Sequence, residues 1–344
     1  MKYPNFPKEC QSLLCKYLSS EVFEELKDKK TAFGFTLEQA INSGVKNIDS
    51  GIGVYAGDEE SYDLFSSLFN PIIEDYHGFT KEERHKSNLN PEDLLAPNPD
   101  IAGEFIVSTR IRVGRNLKDF PLGPAITQEG RMEVEKNVST ALALLDGILS
   151  GKYTPLLGMS EAVQKQLIED HFLFKEGDRF LEAAGLNHNW PEGRGIFHND
   201  EKTFLVWVNE EDQLRIISMQ QGGDIKEVFT RLSVAIKILE KQLAFSYNDH
   251  LGYITSCPTN LGTAMRASVH IKVPKLAKDM EKFKAITDKY HLQIRGIHGE
   301  HSESEGGVYD ISNRRRLGIT EVEAVQDMYD GVVAIIEAEK VLMK

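Results

Sequence analysis

No segment of the sequence approaches the roughly 18 consecutive apolar residues of a membrane span. The N-terminal stretch MKYPNFPKECQSLLCKYLSSEVFEELKDKK also lacks an apolar run of signal-peptide length. A soluble, cytoplasmic protein is therefore expected. Cysteine is scarce. Cys10, Cys15 and Cys257 are the full set, with no CxxC pair. An odd, sparse set argues against a disulfide framework and a zinc site, and suits a reducing compartment. Positive charge is short as well: 40 Lys and Arg face 53 Asp and Glu, a formal net charge of −13. Such a chain has no general attraction for nucleic acid or an anionic membrane. An anionic ligand would need a local basic cluster. The familiar phosphate-binding and kinase signatures are missing too: there is no GxxxxGK[ST], no strand–GxGxxG–helix unit, no HRD and no DFG.

What is present is a chain of 344 residues with 41% hydrophobic and 27% charged residues, enough for one large domain or two unequal ones. The first third reads as helical. Thr36-Leu37-Glu38-Gln39 is a possible capping box. Asp58 could cap a helix through SYDLFSSLF, with Tyr62, Phe65 and Phe69 on one stripe. The segment NLNPEDLLAPNP, residues 88–99, carries three prolines and no periodicity, as a linker does. Beyond it the pattern alternates. In EFIVSTRIRV, Phe105, Val107, Thr109, Ile111 and Val113 share one strand face, and Ile106, Ser108, Arg110 and Arg112 the other. Residues 202–219 read as a hairpin turning at NEED. In residues 266–273, Ala267, Val269, Ile271 and Val273 point inward, opposite Arg266, Ser268, His270 and Lys272. Helices are expected over 128–149, 160–172, 224–245 and 274–290. Thr320-Glu321-Val322-Glu323 opens a last one. The expected class is α+β. A small all-helical N-terminal domain (1–90) leads through a linker (91–99) to a larger domain (100–344) with an antiparallel sheet flanked by helices.

Arginine placement carries the chemistry. Arg110, Arg112 and Arg266 sit on polar strand faces, Arg215 in the hairpin and Arg295 after the alternating stretch HLQIR. A guanidinium stays charged and matches phosphate oxygens in pairs. A single strand arginine is usually a solvated one; several converging on one face would make a triphosphate site in an acidic protein. The cluster Asn209-Glu210-Glu211-Asp212 taken alone is an ordinary acidic turn. The stretch from Ser256 through Cys257 to Thr263 taken alone is a plain glycine-bearing loop.

Together these motifs resemble one family. CPTNLGT at 257–263, WVNEEDQLRIISMQ at 207–220, STRIR at 108–112, RASVHIK at 266–272 and GEHSESEGGVYDISNRRRLG at 299–318 are similar, in order, to the phosphagen (ATP:guanido) kinases. Within that family the sequence is most similar to the arginine kinases, although residues 295–300 read Arg-Gly-Ile-His-Gly-Glu where RGTRGE is common there. The resemblance implies reversible transfer of the γ-phosphoryl group of MgATP to the guanidino nitrogen of L-arginine. It also implies a helical domain on an antiparallel-sheet domain, with a monomer expected in preference to a dimer.

By the same resemblance, nucleotide would be bound by Ser108, Arg110, Arg112, His171, Arg215, Arg266, Ser268, Val269, His270, Arg295, Gly296 and Glu300. Mg²⁺ would be held through phosphates and water, not by a protein ligand set. The acceptor would be read by Ser50, Gly51, Ile52, Gly53, Val54 and Tyr55. Glu211 and Glu300 would clamp its guanidinium, and Arg215 and Arg295 would serve the transferring phosphoryl group. Cys257 would lie beside the guanidinium as a thiolate favoured by that cation. A guanidinium's ordinary pKa above about 12 makes positioning and charge neutralisation the main source of rate. Two rivals stay open: another phosphagen kinase acting on taurocyamine, hypotaurocyamine or lombricine, or an inactive relative serving as a binding protein.

Overall fold

The computed structural model describes residues 1–297, 304 and 306–344. Five helices come first: α1 (Leu13–Tyr17), α2 (Ser20–Leu26), α3 (Leu37–Lys46), α4 (Glu60–Leu64) and α5 (Ser66–His77). Their starts follow local chemistry. Ser12 and Ser19 each accept a backbone N–H at a helix start, and Thr36 with Gln39 forms the complete capping box. Asp58 accepts the Ser61 N–H at 2.8 Å, but the N-cap of α4 is Glu59, without a side-chain cap, and the helix expected through SYDLFSSLF is divided at Phe65. The fifth helix ends at Gly78, whose left-handed φ of 65° suits glycine. Leu14, Phe23, Leu37, Ile41, Phe65 and Phe69 close a core between these helices. It is completed by Leu122, Leu251, Ile254, Leu261 and Leu317 from later in the chain. The helical part therefore does not bury its apolar stripe alone.

The rest is organised by an antiparallel sheet. Its strands are β1 (Ile106–Arg115), β2 (Gly151–Pro155), β3 (Gly195–Asn199), β4 (Phe204–Val208), β5 (Leu214–Gln221), β8 (Met265–Lys272), β9 (Leu292–Gly296) and β10 (Val308–Asn313). β6 (Tyr247–Asn248) and β7 (Gly252–Tyr253) form a separate small ladder. The eight strands lie in the order β2-β3-β4-β5-β1-β8-β10-β9, which puts β1 near the centre. One face is apolar. Ile111, Val113, Val206, Ile216, Ala267, Val269 and Ile271 are buried there with residues of α9 (Ile225–Leu239) and α11 (Glu321–Met343). The remaining helices are α6 (Gln128–Leu142), α7 (Glu161–Glu169), α8 (Arg179–Ala183) and α10 (Met280–Lys289).

Four helix expectations overshoot. The helix from 128 stops at Leu142 and gives way to a 3-10 turn at Gly147–Leu149. The helices expected over 160–172 and 224–245 span Glu161–Glu169 and Ile225–Leu239. The one expected from Pro274 begins at Met280, where Asp279 accepts the Lys282 N–H at 3.0 Å. Strand β1 also departs from simple alternation. Ile106 pairs with Ile271, but Ser108 pairs with His270, so two residues of β1 oppose one of β8. This bulge reverses the parity at the strand's start. Ile106 enters the core and Val107, expected inside, is exposed.

Cysteine count misled in one respect. Cys10 and Cys15 form a disulfide across a separation of five residues, with Cα atoms 6.3 Å apart. The turn that caps α1 at Ser12 brings them together, a proximity that spacing rules for metal or redox motifs do not register. Cys257 remains a buried thiol. Thiol titration in denaturant checks the pairing: one reactive thiol is expected before reduction and three after it. Among the described residues no helix is long and apolar enough to cross a membrane.

Candidate active site

The strand register places the site. Residues paired across neighbouring strands share a face. Arg112 is opposite Arg266, Arg110 opposite Ser268, and Ser108 opposite His270. On the other side of β1, Gly114 is opposite Arg215, which is itself opposite Trp207. Across β10, Asp310 faces both His270 and Arg295. All five sequence-selected arginines therefore lie on the sheet face opposite the apolar core. Two adjoining hollows lie against this face. The larger, about 460 Å³, is bordered by Ser108, Arg110, His171, Arg266, Ser268, His270, Arg295 and Gly296. The smaller, about 20 Å³, is bordered by Arg112, Arg215, Arg266 and Arg316, with Asp212 and Asn260. Arg266 borders both.

The cations are only partly neutralised. Arg215 meets Glu210 at 3.0 Å and Glu211 at 3.7 Å. Arg266 is paired with Asp310, which also lies 3.2 Å from His270 Nε2. The Arg110 and Arg215 guanidiniums sit 5.4 and 5.3 Å from the Trp207 ring centroid. Trp207 is fixed by its Nε1–H donating to Phe172 O at 2.8 Å. Burial, then Arg215 and Arg266, pull Arg110 down to about 10, and the same three causes hold Arg112 well below the ordinary guanidinium range. Like charges this close favour a polyanionic guest.

Beside them is the turn between β4 and β5. Glu211 Oε1 accepts from Asn260 Nδ2 at 3.3 Å, and its backbone oxygen accepts from Ser256 Oγ at 3.3 Å. Burial first, then Asp212 and Glu210, push its carboxyl above the usual range; Arg215 and Arg112 oppose that rise. Cys257 lies in the adjoining turn, its Sγ 3.1 Å from Thr259 Oγ1. The expected thiolate is not what the protein's own groups favour. Burial and then the charge of Glu211 push the thiol up to about 12. Any thiolate would depend on a cationic guest.

Residues 50–55 approach from the helical part. Leu13 and Leu14 donate to Gly51 O and Ile52 O at 3.0 and 2.9 Å, and Ala56 N–H donates to Ser256 O at 2.8 Å. The loop thus joins α1 to the Cys257 turn. Gly53 is required here: its φ is +83°, and a Cβ would stand 2.9 Å from that of Leu14. Burial, followed by Cys257 and Glu211, raises the Tyr55 phenol, so its ring shares their surroundings. Ser50 is buried, and its hydroxyl has no hydrogen-bond partner among the described residues. Ile52 packs at the edge of the helical core and Val54 lies fully inside it, so Val54 has only backbone to offer a ligand. Nearby, α8 clasps α3. Asn42 and Ser43 donate to Ala183 O and Phe180 O at 2.6 and 2.7 Å, and Arg179 is paired with Asp49.

Two expected site residues are not among these groups. Val269 is buried in the core on the opposite sheet face, since alternation places it out of phase with Ser268 and His270. Glu300 lies outside the described residues. Three contributors were missed. Arg316 donates to Met265 O at 3.2 Å and to Thr259 O at 3.1 Å while bordering the small hollow. Asn260 holds Glu211, and Asp310 neutralises Arg266. The run Arg314-Arg315-Arg316 was a usable signal for the first. Nothing local marks the other two. Among the described residues no group of three or more His, Cys, Asp or Glu could hold a metal ion.

The family model for the ATP:guanido phosphotransferase C-terminal catalytic domain matches residues 133–342, and that for the N-terminal domain matches residues 8–74. The chain belongs to the ATP:guanido phosphotransferase family. Among relatives of this chain, an arginine kinase of Anthopleura japonica is 60% identical over 96% of this chain, which spans 47% of that protein. The chain thus covers about half of that relative's length. Arginine kinase Lit v 2 of Penaeus vannamei is 56% identical, covering 96% of this chain and 94% of its own. Among solved structures, a lombricine kinase superposes with a TM-score of 0.94 at 39% identity, covering 99% of this chain and 95% of that one. The duplicated taurocyamine kinase of Schistosoma mansoni gives 0.92 at 45% identity, covering 98% of this chain and 47% of its own.

Proposed function

We propose that this phosphotransferase is an arginine kinase, moving the γ-phosphoryl group of MgATP reversibly onto the guanidino group of L-arginine. One observation carries the reading: five arginines on a single sheet face border adjoining hollows beside the Glu211 turn and the Cys257 turn. The arginines neutralise the phosphates; Mg²⁺ comes with the nucleotide and is held by phosphates and water. Glu211 clamps the planar acceptor cation and aims one nitrogen at phosphorus. Glu300 is proposed as its partner carboxylate on sequence grounds. The backbone of 50–55 and the Tyr55 hydroxyl take the acceptor's amino-acid end. We divide the chain into a helical part, 1–90, that reads the acceptor and a part, 100–344, that binds nucleotide. Closure between them would exclude water and prevent idle ATP hydrolysis. A monomeric enzyme fits this reading; a cytoplasmic one fits it only with the Cys10–Cys15 disulfide reduced.

The identity of 56–60% to arginine kinases over 96% of the chain favours arginine over the guanidines of the structural neighbours, which are 39–45% identical. The test is ATP with arginine, creatine, taurocyamine, lombricine or hypotaurocyamine in parallel, following ADP release. Arginine should be preferred. Preference for a guanidine lacking an amino-acid end would overturn the acceptor, and no release with any of them would favour the binding-protein rival. A second expectation concerns Cys257, predicted to be alkylated more slowly in the presence of MgADP and arginine together. Mass spectrometry of the labelled peptide measures this, and unchanged labelling would remove Cys257 from the site.

A further inference from the structure

The turn that carries Glu210 and Glu211 is held at both ends, and of the groups that hold it only Asp212 borders a hollow. Its far end is fixed by Asp212 and Gln213. Asp212 Oδ1 accepts from Asn116 Nδ2 at 2.8 Å and from Ser256 N at 2.9 Å. Gln213 N donates to Asn116 Oδ1 at 2.9 Å, and its amide reaches Leu117 N and Pro121 O at 2.8 and 2.9 Å. Its near end is Asn209, which has a left-handed φ of 56° and is 6% exposed. The Asn209 Nδ2 donates to Gly193 O at 2.8 Å and Arg131 O at 3.1 Å.

Asn209 O in turn accepts from Arg194 Nε at 3.3 Å. Arg194 is 1% exposed, and its other donors reach His188 O, Leu186 O and Glu192 O at 2.7, 2.8 and 3.1 Å. None of the carboxylate ion pairs among the described residues includes it. A buried guanidinium spent wholly on carbonyls is costly unless it fixes something.

From this we infer that Asn209 and Arg194 are positioning residues for the phosphoryl-transfer step. They lock the start of the turn so that the Glu211 carboxylate meets the acceptor at a fixed distance from the arginine face. The inference rests on the reading of Glu211 as the acceptor clamp. A loop of two adjacent, partly exposed glutamates, both repelled by Asp212, would otherwise relax outward. Aspartate or serine could accept hydrogen bonds at position 209 but could not give two N–H donors to two carbonyls. The asparagine is therefore used for its left-handed tolerance and its amide together.

The experiment is steady-state kinetics with calorimetric MgADP binding on Asn209→Gly, Asn209→Asp, Arg194→Lys and Glu211→Gln. Glycine keeps the backbone conformation and removes only the amide, so this variant should fold. It should lose roughly 10- to 100-fold in kcat, with KM for ATP and MgADP affinity unchanged. Asn209→Asp should be worse, because a carboxylate then faces two carbonyls. Arg194→Lys should lie between wild type and Asn209→Gly. Wild-type kcat in Asn209→Gly, or Asn209→Asp at least as active as Asn209→Gly, would overturn the inference. So would a loss of MgADP binding in step with kcat, which signals general damage. Glu211→Gln separates the two ideas. If it is inactive while both Asn209 variants work normally, only the positioning role fails. If it is fully active, the reading of Glu211 itself fails.

Discussion

Replacing Glu211 by glutamine is expected to lower turnover by roughly 10²- to 10⁴-fold while leaving MgADP affinity intact. The proposed clamp needs two ionised oxygens against a planar cation, and an amide offers one acceptor and a pair of repelling donors. Glu211 does not border the larger hollow, where Arg110, Arg266 and Arg295 remain to hold phosphates. The same substitution should raise the thermal midpoint near pH 8. Burial, then Asp212 and Glu210, hold the carboxyl of Glu211 above its ordinary range. Folding therefore favours its protonated form. That contribution is intact below the ordinary carboxylate pKa and is lost as pH rises from there toward the elevated folded value. Glutamine escapes the loss, so the gain should disappear near about pH 4. Calorimetry across pH, with ADP release on the same samples, measures both effects. Normal activity in the variant would end the proposed role of Glu211.

The second large effect is expected at Arg112. No hydrogen bond or ion pair is formed by its side chain among the described residues, and burial with Arg215, Arg266 and Arg110 holds its pKa well below normal. A guanidinium stays charged at neutral pH, and holding that charge beside three others opposes folding. Arg112→Met should cost about 10²- to 10³-fold in turnover, because charge on the transferring group loses a preorganised partner. It should also melt higher than wild type when no nucleotide is present. Added MgADP should then narrow or reverse that gap, since the parent gains more from the ligand. A variant that is both inactive and less stable would mean that Arg112 serves packing and not phosphate.

How much of this could be read beforehand follows from the range of each determinant. Strand alternation has a period of two, so Arg110, Arg112 and Arg266 could be assigned to one side of their strands from sequence alone. That the sides coincide is a matter of register between segments 100 to 150 residues apart, which local patterns do not encode. The bulge at Val107 shows the limit within one strand. It is defined by the pairing with Ile271 and His270, a register that alternation within EFIVSTR does not encode. Capping chemistry is short-range, and Thr36 and Thr320 form the expected boxes. The C-terminal ends at Leu142, Glu169 and Leu239 carry no such mark, and local pattern alone runs past them. Arg316, Asn260 and Asp310 act through contacts with distant segments. The disulfide depends on the turn at Ser12, and neither composition nor motif spacing reveals that geometry.

The strand order also bears on how the chain is made. β1 lies in the fifth place of the sheet, between β5 and β8, which begin at Leu214 and Met265. During synthesis it emerges long before either neighbour. Until some 160 further residues have left the ribosome, its backbone donors and acceptors on one side have no native mate. A nascent chain or truncated product ending before Met265 would leave that edge open. Such fragments should aggregate or be captured by chaperones.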